Sequence, residues 1–308
     1  MNKLRIATRG SALALWQSKY IQNLIENNTE VEVELQSMKT KGDVILDTPL
    51  AKIGGKGLFT KELEESMLRG ESDLAVHSLK DVPVVFPKGL ILTAISERED
   101  VRDSFVSEKF ASFNELPKGA KVGTTSLRRK MQLLIKRPDL KIISLRGNIN
   151  TRLRKLKENE FDAIILASAG LKRLNLMENI KYFVPFSLDE MIPAMGQGAL
   201  GIECVDKSEV IEILKFINNE NSVIATTIER DFVAKLNGGC QVPIGVNAEI
   251  SGDIIKVRAI VGLPDGSEFI KEKREISKAD FKNFGTKLAD EFISRGAIEL
   301  LKRAEEMA

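Results

Sequence analysis

The stretch Lys121–Lys136, KVGTTSLRRKMQLLIK, reads as a fold in miniature. Lys121–Gly123 is a short strand, Thr124-Thr125-Ser126 a hydroxyl-rich turn, and Leu127–Lys136 a helix. The same grammar runs outward from it. Upstream, Leu4–Thr8 reads as a strand, Ser11–Glu26 as a helix, Val31–Gln36 as a strand and Phe59–Leu68 as a helix. Leu74–Val76 and Leu90–Ile95 are short buried strands. Downstream come strand Ile142–Ser144, helix Thr151–Glu158 and strand Ala163–Leu166. Strands that alternate with helices predict open, mainly parallel sheets covered by helices.

The last third changes character. Ile244–Ile250, Ile254–Val261 and Glu268–Ile276 predict three strands joined by turns at Ser251-Gly252-Asp253 and Pro264-Asp265-Gly266, followed by one long helix over Lys278–Arg303. That is an α+β unit with an antiparallel sheet. The charge-dense Glu97–Asp103 and the segment around Ile192-Pro193, before Gly196-Gln197-Gly198, are the expected crossovers between domains. No internal repeat is visible.

Composition narrows the chemistry. The chain has 308 residues, 46 Lys+Arg against 44 Asp+Glu, and a net charge of +2, so no whole-molecule field draws a polyanion. One histidine, His77, and two cysteines, Cys204 and Cys240, leave no His/Cys supply for a zinc cluster and no disulfide framework. No metal site is expected. No apolar run has the length of a membrane span. The opening Met1–Arg9 lacks the apolar stretch of a secretory signal, and the expectation is a cytoplasmic protein.

One pattern recurs four times: a strand ends, small or hydroxyl residues follow, and a helix begins with arginine nearby. The sites are Thr8-Arg9-Gly10-Ser11, then Thr124 to Ser126 with Arg128 and Arg129, then Arg146-Gly147-Asn148 to Thr151-Arg152, and Ser168-Ala169-Gly170 leading to Arg173. Helix starts offer free N–H groups and partial positive charge, and guanidinium forks match carboxylates. Singly, Ser11, Ser126 and Thr151 are ordinary caps. Four such sites together point to a ligand bearing several anions. One Trp, two Tyr and no basic tract leave few stacking platforms, which argues against nucleic acid.

Three further features carry chemistry. Lys41–Leu58 is a Gly-rich loop with Lys52 and Lys56, readable equally as a lid that brings lysines to an anion or as a surface loop. Asp81, in Ser78-Leu79-Lys80-Asp81-Val82-Pro83, follows a buried strand, where active sites collect. It can stabilise a developing cation or hold a substrate N–H; the plainer readings are a pair with Lys80 or a turn cap. His77 reads as a packed strand-end residue and Cys204 as an inert strand residue. Cys240, in Asn237-Gly238-Gly239-Cys240-Gln241-Val242-Pro243, is a loop thiol, which raises a covalent role.

These residues resemble one family. LRIATRGSALALWQ (Leu4–Gln17), KGDVILDTPLAKIGGKGLFTKELE (Lys41–Glu64), DLAVHSLKDVP (Asp73–Pro83), VGTTSLRR (Val122–Arg129), LRGNINTRLRKL (Leu145–Leu156), PAMGQGALGIE (Pro193–Glu203) and ERDFVAKLNGGCQVPIG (Glu229–Gly245) are similar to porphobilinogen deaminases, also called hydroxymethylbilane synthases. The resemblance implies an enzyme that joins four porphobilinogens head to tail, releases ammonia from each, and is primed by a covalent dipyrromethane cofactor on Cys240. It implies Asp81 as the catalytic carboxylate. Ser78, Lys80, Thr124, Ser126, Arg128 and Arg129 would bind the cofactor. Arg9, Ser11, Arg146, Arg152, Arg173 and Gln197 would bind substrate and growing chain, with Lys52 and Lys56 on the lid. It implies two periplasmic-binding-protein-like α/β domains with a cleft between them, plus a third α+β domain. Residues 1–96 with 193–215 would form the first, 97–192 the second and 216–308 the third. The resemblance also implies a monomer in tetrapyrrole (haem) biosynthesis. The rival from another class is a two-domain polycarboxylate-binding protein without catalysis. An RNA-binding protein using Arg128–Arg173 is a further rival, and it predicts steep salt dependence.

Overall fold

The computed structural model describes residues 1–40, 60–238 and 242–307. Two compact units emerge, Met1–Glu99 with Gly198–Val223, and Asp100–Gln197 with Ile224–Ala308.

The first unit is built on five strands: β1 (Lys3–Arg9), β2 (Glu32–Met38), β3 (Leu74–Ser78), β4 (Leu90–Ile95) and β10 (Leu200–Val205), in the order β2-β1-β3-β10-β4. β1 runs parallel to β2 and to β3, whereas β10 is antiparallel to both of its neighbours. β1 buries Leu4 and then Ile6, Ala7 and Thr8 in succession. β3 and β10 are buried almost throughout, the mark of strands covered on both faces. The helix Ala12–Asn28 buries Gln17, Ile21 and Ile25, four residues apart each time, and so turns one stripe to the sheet. Leu63 and Met67 of the helix Lys61–Leu68 join the same core.

The second unit holds two sheets. Its mixed sheet comprises β5 (Asp103–Ser107), β6 (Lys121–Gly123), β7 (Lys141–Ile143), β8 (Ala163–Ala167) and β9 (Tyr182–Pro185), in the order β7-β6-β8-β5-β9. Here β5 is the reversed strand, antiparallel to β8 and β9. Successive residues of β5 and β8 serve opposite faces: Phe105 and Ile165 join one core cluster, Val106, Ile164 and Leu166 the other. The remaining sheet is antiparallel, β11 (Ile244–Ser251), β12 (Ile254–Gly262) and β13 (Phe269–Ser277). Left-handed glycines make its turns, Gly252 at φ 58° and Gly266 at φ 75°. The helices Glu220–Lys235 and Phe284–Ser294 pack through an edge-on Phe232–Phe292 contact at 5.1 Å. Gly285 permits their approach, because a Cβ there would stand 2.1 Å from the Ile228 carbonyl oxygen. Buried Glu229 ties this unit together, accepting hydrogen bonds from the Gly196 and Ala248 N–H groups.

Three expectations need correction. The sheets are mixed, each with one reversed strand, and β5 and β9 were not foreseen. The long helix over Lys278–Arg303 is instead a short turn at Lys278–Asp280 and two helices, Phe284–Ser294 and Ala297–Glu306. Asn283 at φ 59° and Gly296 at φ 93° break it, since a left-handed residue cannot continue a right-handed helix. A repeat also exists after all, in topology: the two five-stranded sheets share one layout, with the reversed strand in the fourth place.

Candidate active site

In the first unit, chemistry collects where β3 ends. A single 3₁₀ turn, Leu79–Asp81, follows that strand. Leu79 and Val82 are buried, the Leu79 N–H donates to the Ala199 carbonyl at 3.0 Å, and the Val82 N–H closes the turn on the Leu79 carbonyl. Gly201 on β10 leaves room for this, as a Cβ there would meet Leu79 Cδ1 at 2.9 Å. Asp81, held between two anchored aliphatic residues, is itself exposed. Its rigid seat at a strand's carboxyl end is where an α/β sheet places reacting groups.

A cavity of about 80 Å³ opens beside it, walled by Arg9, Ser11, Gln17, His77, Ser78 and Asp81 among others. Ser11 caps the helix Ala12–Asn28 by accepting from the Ala14 N–H at 3.3 Å. Gln17 Nε2 donates to Ser78 Oγ at 2.8 Å and fixes that hydroxyl. The structure therefore gathers four residues singled out from sequence, Arg9, Ser11, Ser78 and Asp81, on one wall. Lys80, half-buried, lies beside Asp81 in the chain.

Behind the cavity lies a group that sequence reading missed. His77 Nε2 meets Glu203 Oε2 at 3.0 Å, both residues buried. The other oxygen, Glu203 Oε1, is buried with no hydrogen-bond partner among the described residues, and so is Glu64 Oε1. Burial pushes the Glu64 carboxyl above its ordinary range; the charge of Glu203 adds to this, while Thr60 and His77 act against it. A lone glutamate inside the apolar run Gly201-Ile202-Glu203-Cys204-Val205 was the available signal. Its neighbour Cys204 is a buried strand residue, and burial pushes its thiol up to about 12.

The second unit carries the other expected anion sites. Ser126 caps the helix Leu127–Lys136 by accepting from the Arg129 N–H. Thr124 Oγ1 accepts from the Ser126 N–H at 3.1 Å. The helix Ile149–Lys157 is capped by Asn148, which accepts from the Thr151 N–H at 3.0 Å, so Thr151 is not the cap its hydroxyl implied. Arg152 Nε donates to the Gly147 carbonyl, which draws the guanidinium back over the turn. Arg146, Arg152 and Arg173 are half-buried, and Arg173 closes the short helix Ser168–Arg173.

Arg128, Arg129 and Gln197 converge elsewhere. All three donate to Asp103, a fully buried carboxylate on β5. Arg128 Nη1 reaches Asp103 Oδ2 at 2.6 Å and Arg129 Nη2 reaches Oδ1 at 2.7 Å. The same two side chains also donate to the carbonyls of Ile192 and Ile165. Burial alone would raise the Asp103 carboxyl, yet the two guanidiniums hold it far below its ordinary range. In this structure the two guanidiniums share one internal carboxylate, which balances half of their charge, and Asp103 was hidden in the charge-dense segment that reads as a crossover.

Cys240, Lys52 and Lys56 lie outside the described residues. A larger hollow of about 410 Å³ lies against the antiparallel sheet, lined by Asp189, Arg258, Lys271, Glu272 and Lys273. Its charges pair with one another, Arg258 and Lys273 both on Asp189, so size there is not matched by chemistry. Among the described residues no cluster of His, Cys, Asp and Glu suits a metal ion, and no helix is long and apolar enough to cross a membrane.

Comparison with known proteins identifies the family. Residues 4–212 match the family description "Porphobilinogen deaminase, dipyromethane cofactor binding domain", and residues 223–294 match "Porphobilinogen deaminase, C-terminal domain". The chain belongs to the porphobilinogen deaminase family. A porphobilinogen deaminase of Campylobacter concisus is 67% identical over 309 residues, covering 100% of both chains. One from Campylobacter jejuni is 64% identical over 305 residues, covering 99% of each. Porphobilinogen deaminases are transferases, and the matched first domain is the one that binds their dipyrromethane cofactor. Among solved structures, a methionine-binding protein aligns with TM-score 0.47 and 14% identity over 72% of this chain and 92% of its own. A putative methionine-binding lipoprotein of Bacillus subtilis aligns with TM-score 0.44 and 12% identity over 72% and 92%.

The donor set fits such a cofactor. In the first unit the Ser78 hydroxyl, and in the second those of Thr124 and Ser126, have the chemistry that the acetate and propionate arms of pyrroles need. One exposed carboxylate, Asp81, suits ring N–H groups.

Proposed function

We propose that this chain condenses four porphobilinogens head to tail into hydroxymethylbilane, with Asp81 as the catalytic carboxylate and Cys240 as the point of cofactor attachment. The bound dipyrromethane supplies the primer, a nucleophilic pyrrole carbon from which growth starts. Asp81 lies against the cationic carbon–nitrogen system left when ammonia departs, and accepts a hydrogen bond from the ring N–H. An anionic oxygen fixed by its backbone needs no reorganisation as that charge develops. Arg9 and Ser11 hold an acidic arm of the incoming ring in the small cavity, so the ring carbon meets Asp81 rather than solvent. Ser78, Lys80, Thr124 and Ser126 serve the cofactor carboxylates. Arg146, Arg152 and Arg173 serve the growing chain, and Lys52 and Lys56 close over the site. Arg128, Arg129 and Gln197 act in the same binding surface through the frame they build on Asp103.

In this reading residues 1–96 with 193–215, 97–192 and 216–308 are the three domains, and the protein works as a cytoplasmic monomer without nucleic acid. The observation that carries the proposal is an exposed Asp81 on a rigid turn, sharing one cavity with Arg9 and Ser11. Its test is Asp81→Asn, assayed beside intact-mass measurement. The variant is expected to keep the mass of two linked pyrroles on Cys240 and to lose turnover on the order of 10²–10³-fold. Undiminished turnover removes Asp81 from its role. A bare-chain mass in active wild-type enzyme removes the covalent primer, and binding without any turnover in the wild type favours the polycarboxylate-binding alternative.

A further inference from the structure

Every addition must dispose of a proton, and the Asp81 cavity has a second group able to take it. A carboxylate can only accept hydrogen bonds, so the 3.0 Å contact with Glu203 Oε2 puts the ring hydrogen of His77 on Nε2. The neutral imidazole then keeps its basic lone pair on Nδ1, which has no hydrogen-bond partner among the described residues and is not one of the sealed polar atoms. His77 is also part of the cavity wall that includes Asp81. A carboxylate behind one imidazole nitrogen and an open lone pair on the other is the arrangement of a general base.

We propose that His77, its ring fixed by Glu203, takes the proton displaced each time two pyrroles are joined. This rests on the reading of the Asp81 cavity as the reaction site. In each addition the aminomethyl C–N bond breaks with its electron pair leaving on nitrogen, so the ammonium group departs as ammonia. A C–C bond forms to the free α-carbon of the ring added before. The C–H bond at that carbon breaks, its electron pair returns to the ring, and the proton passes to Nδ1. The imidazolium gives it up to water or to the departing ammonia.

Glu203 on β10 and Glu64 on the helix Lys61–Leu68 are buried carboxyls beside the ring. Glu203 Oε1 is sealed and has no hydrogen-bond partner among the described residues, so a donor or a positive charge close by would offset part of its desolvation cost. Among the described residues, Asp81 on the following turn and Arg9 at the end of β1 line the same cavity as the ring. Glu203 is a positioning residue in this scheme, because it acts through the ring.

The single histidine makes the test direct, since ¹⁵N-histidine labelling of the holoenzyme gives one imidazole spectrum. The spectrum is expected to show the Nε2–H tautomer in the wild type and in Glu203→Gln, which retains an acceptor oxygen, and to lose that preference in Glu203→Leu. Turnover should follow: kcat falls in Glu203→Leu with KM little changed, and Glu203→Gln recovers most of it. His77→Gln should lose on the order of 10²-fold in kcat. With porphobilinogen deuterated at its free α-carbon, it should also show a primary isotope effect larger than the wild type does. Intact mass confirms that each variant carries its cofactor. An Nδ1–H tautomer in the wild type overturns the proposal, and that measurement needs no variant to fold. So does a His77→Gln enzyme within about twofold of wild type, or one with no added isotope effect. If Asp81→Asn is crippled while His77→Gln is not, this inference fails alone. If Asp81→Asn turns over normally, the site itself is misplaced.

Discussion

The two five-stranded sheets share a strand layout, and in each the reversed strand carries a fully buried carboxylate: Glu203 on β10, Asp103 on β5. What surrounds them differs. Asp103 receives Arg128, Arg129 and Gln197 and has both oxygens occupied. Glu203 has one histidine and one bare oxygen. A buried carboxylate with both oxygens occupied is a frame, and its neighbours are fixed by it. A buried charge left incomplete is poorly explained by stability, since desolvation is only partly repaid. The same architecture therefore holds a structural carboxylate in one unit and a poised one in the other.

The comparison is broken most forcefully at Asp103. Asp103→Asn leaves two buried guanidiniums without their counter-charge, and a loss of about 3–5 kcal/mol is expected. Denaturant unfolding of the variant checks it. The wild type should show the same bond through pH. Asp103 is held below its ordinary value by Arg128 and Arg129 despite its burial, so its contribution is complete above about pH 4, where the unfolded carboxylate is ionised. It is lost as pH falls from there toward the folded value. A midpoint of unfolding that declines below about pH 4 in the wild type, and much less steeply in Asp103→Asn, is the expected pattern. An equally steep decline in both assigns the acid sensitivity to other carboxylates.

How much of this was legible beforehand follows from the range of each interaction. Ser11 and Ser126 were readable as caps because their partners lie three residues away. Asp81 was readable as a strand-end acid because β3 is a short apolar run with a proline just beyond. The reversal of β5 and β10 was not readable, because strand direction depends on partners far along the chain. The partner of Glu203 lies 126 residues away and the nearer arginine of Asp103 lies 25 away. The break at Gly296 stood in plain view, but Leu288, Phe292 and Leu300 keep an apolar spacing across it that reads as one helix. Arg128 and Arg129 were foreseen as an anion-binding pair, and chemistry alone could not say whether the nearest anion was a ligand or the chain itself.

A smaller effect sharpens the contrast at the packing level. Gly201 on β10 and Gly123 on β6 are both closed in by side chains, Leu79 and Leu92 around the first, Phe161, Ile164 and Leu145 around the second. Alanine at either position overpacks its surroundings, at an expected cost of about 1–3 kcal/mol. Only Gly201→Ala presses on Leu79, the anchor of the Asp81 turn. Turnover measured well below the unfolding transition should thus fall in Gly201→Ala and hold in Gly123→Ala. Equal activities would mean that the turn absorbs the extra methyl without moving Asp81.

The smallest expected change in stability is the most telling. Glu203→Gln keeps the shape of the side chain and one oxygen able to accept from His77 Nε2–H, and it removes a buried charge. The loss of a charge-assisted hydrogen bond acts against the variant, as does an amide N–H₂ that must find acceptors where Oε1 had no partner. The relief of an ion that was only half compensated acts for it. These contributions are of similar size and opposite sign, so the net shift in unfolding free energy is expected to stay within about 1 kcal/mol. Thermal and denaturant unfolding of holoenzyme, side by side with Asp103→Asn, measure it. A cost comparable to that of Asp103→Asn would make Glu203 a second frame residue, and the two reversed strands would then differ in composition but not in purpose. A near-neutral Glu203→Gln leaves the carboxylate without a structural reason to be buried beside the only histidine of the chain.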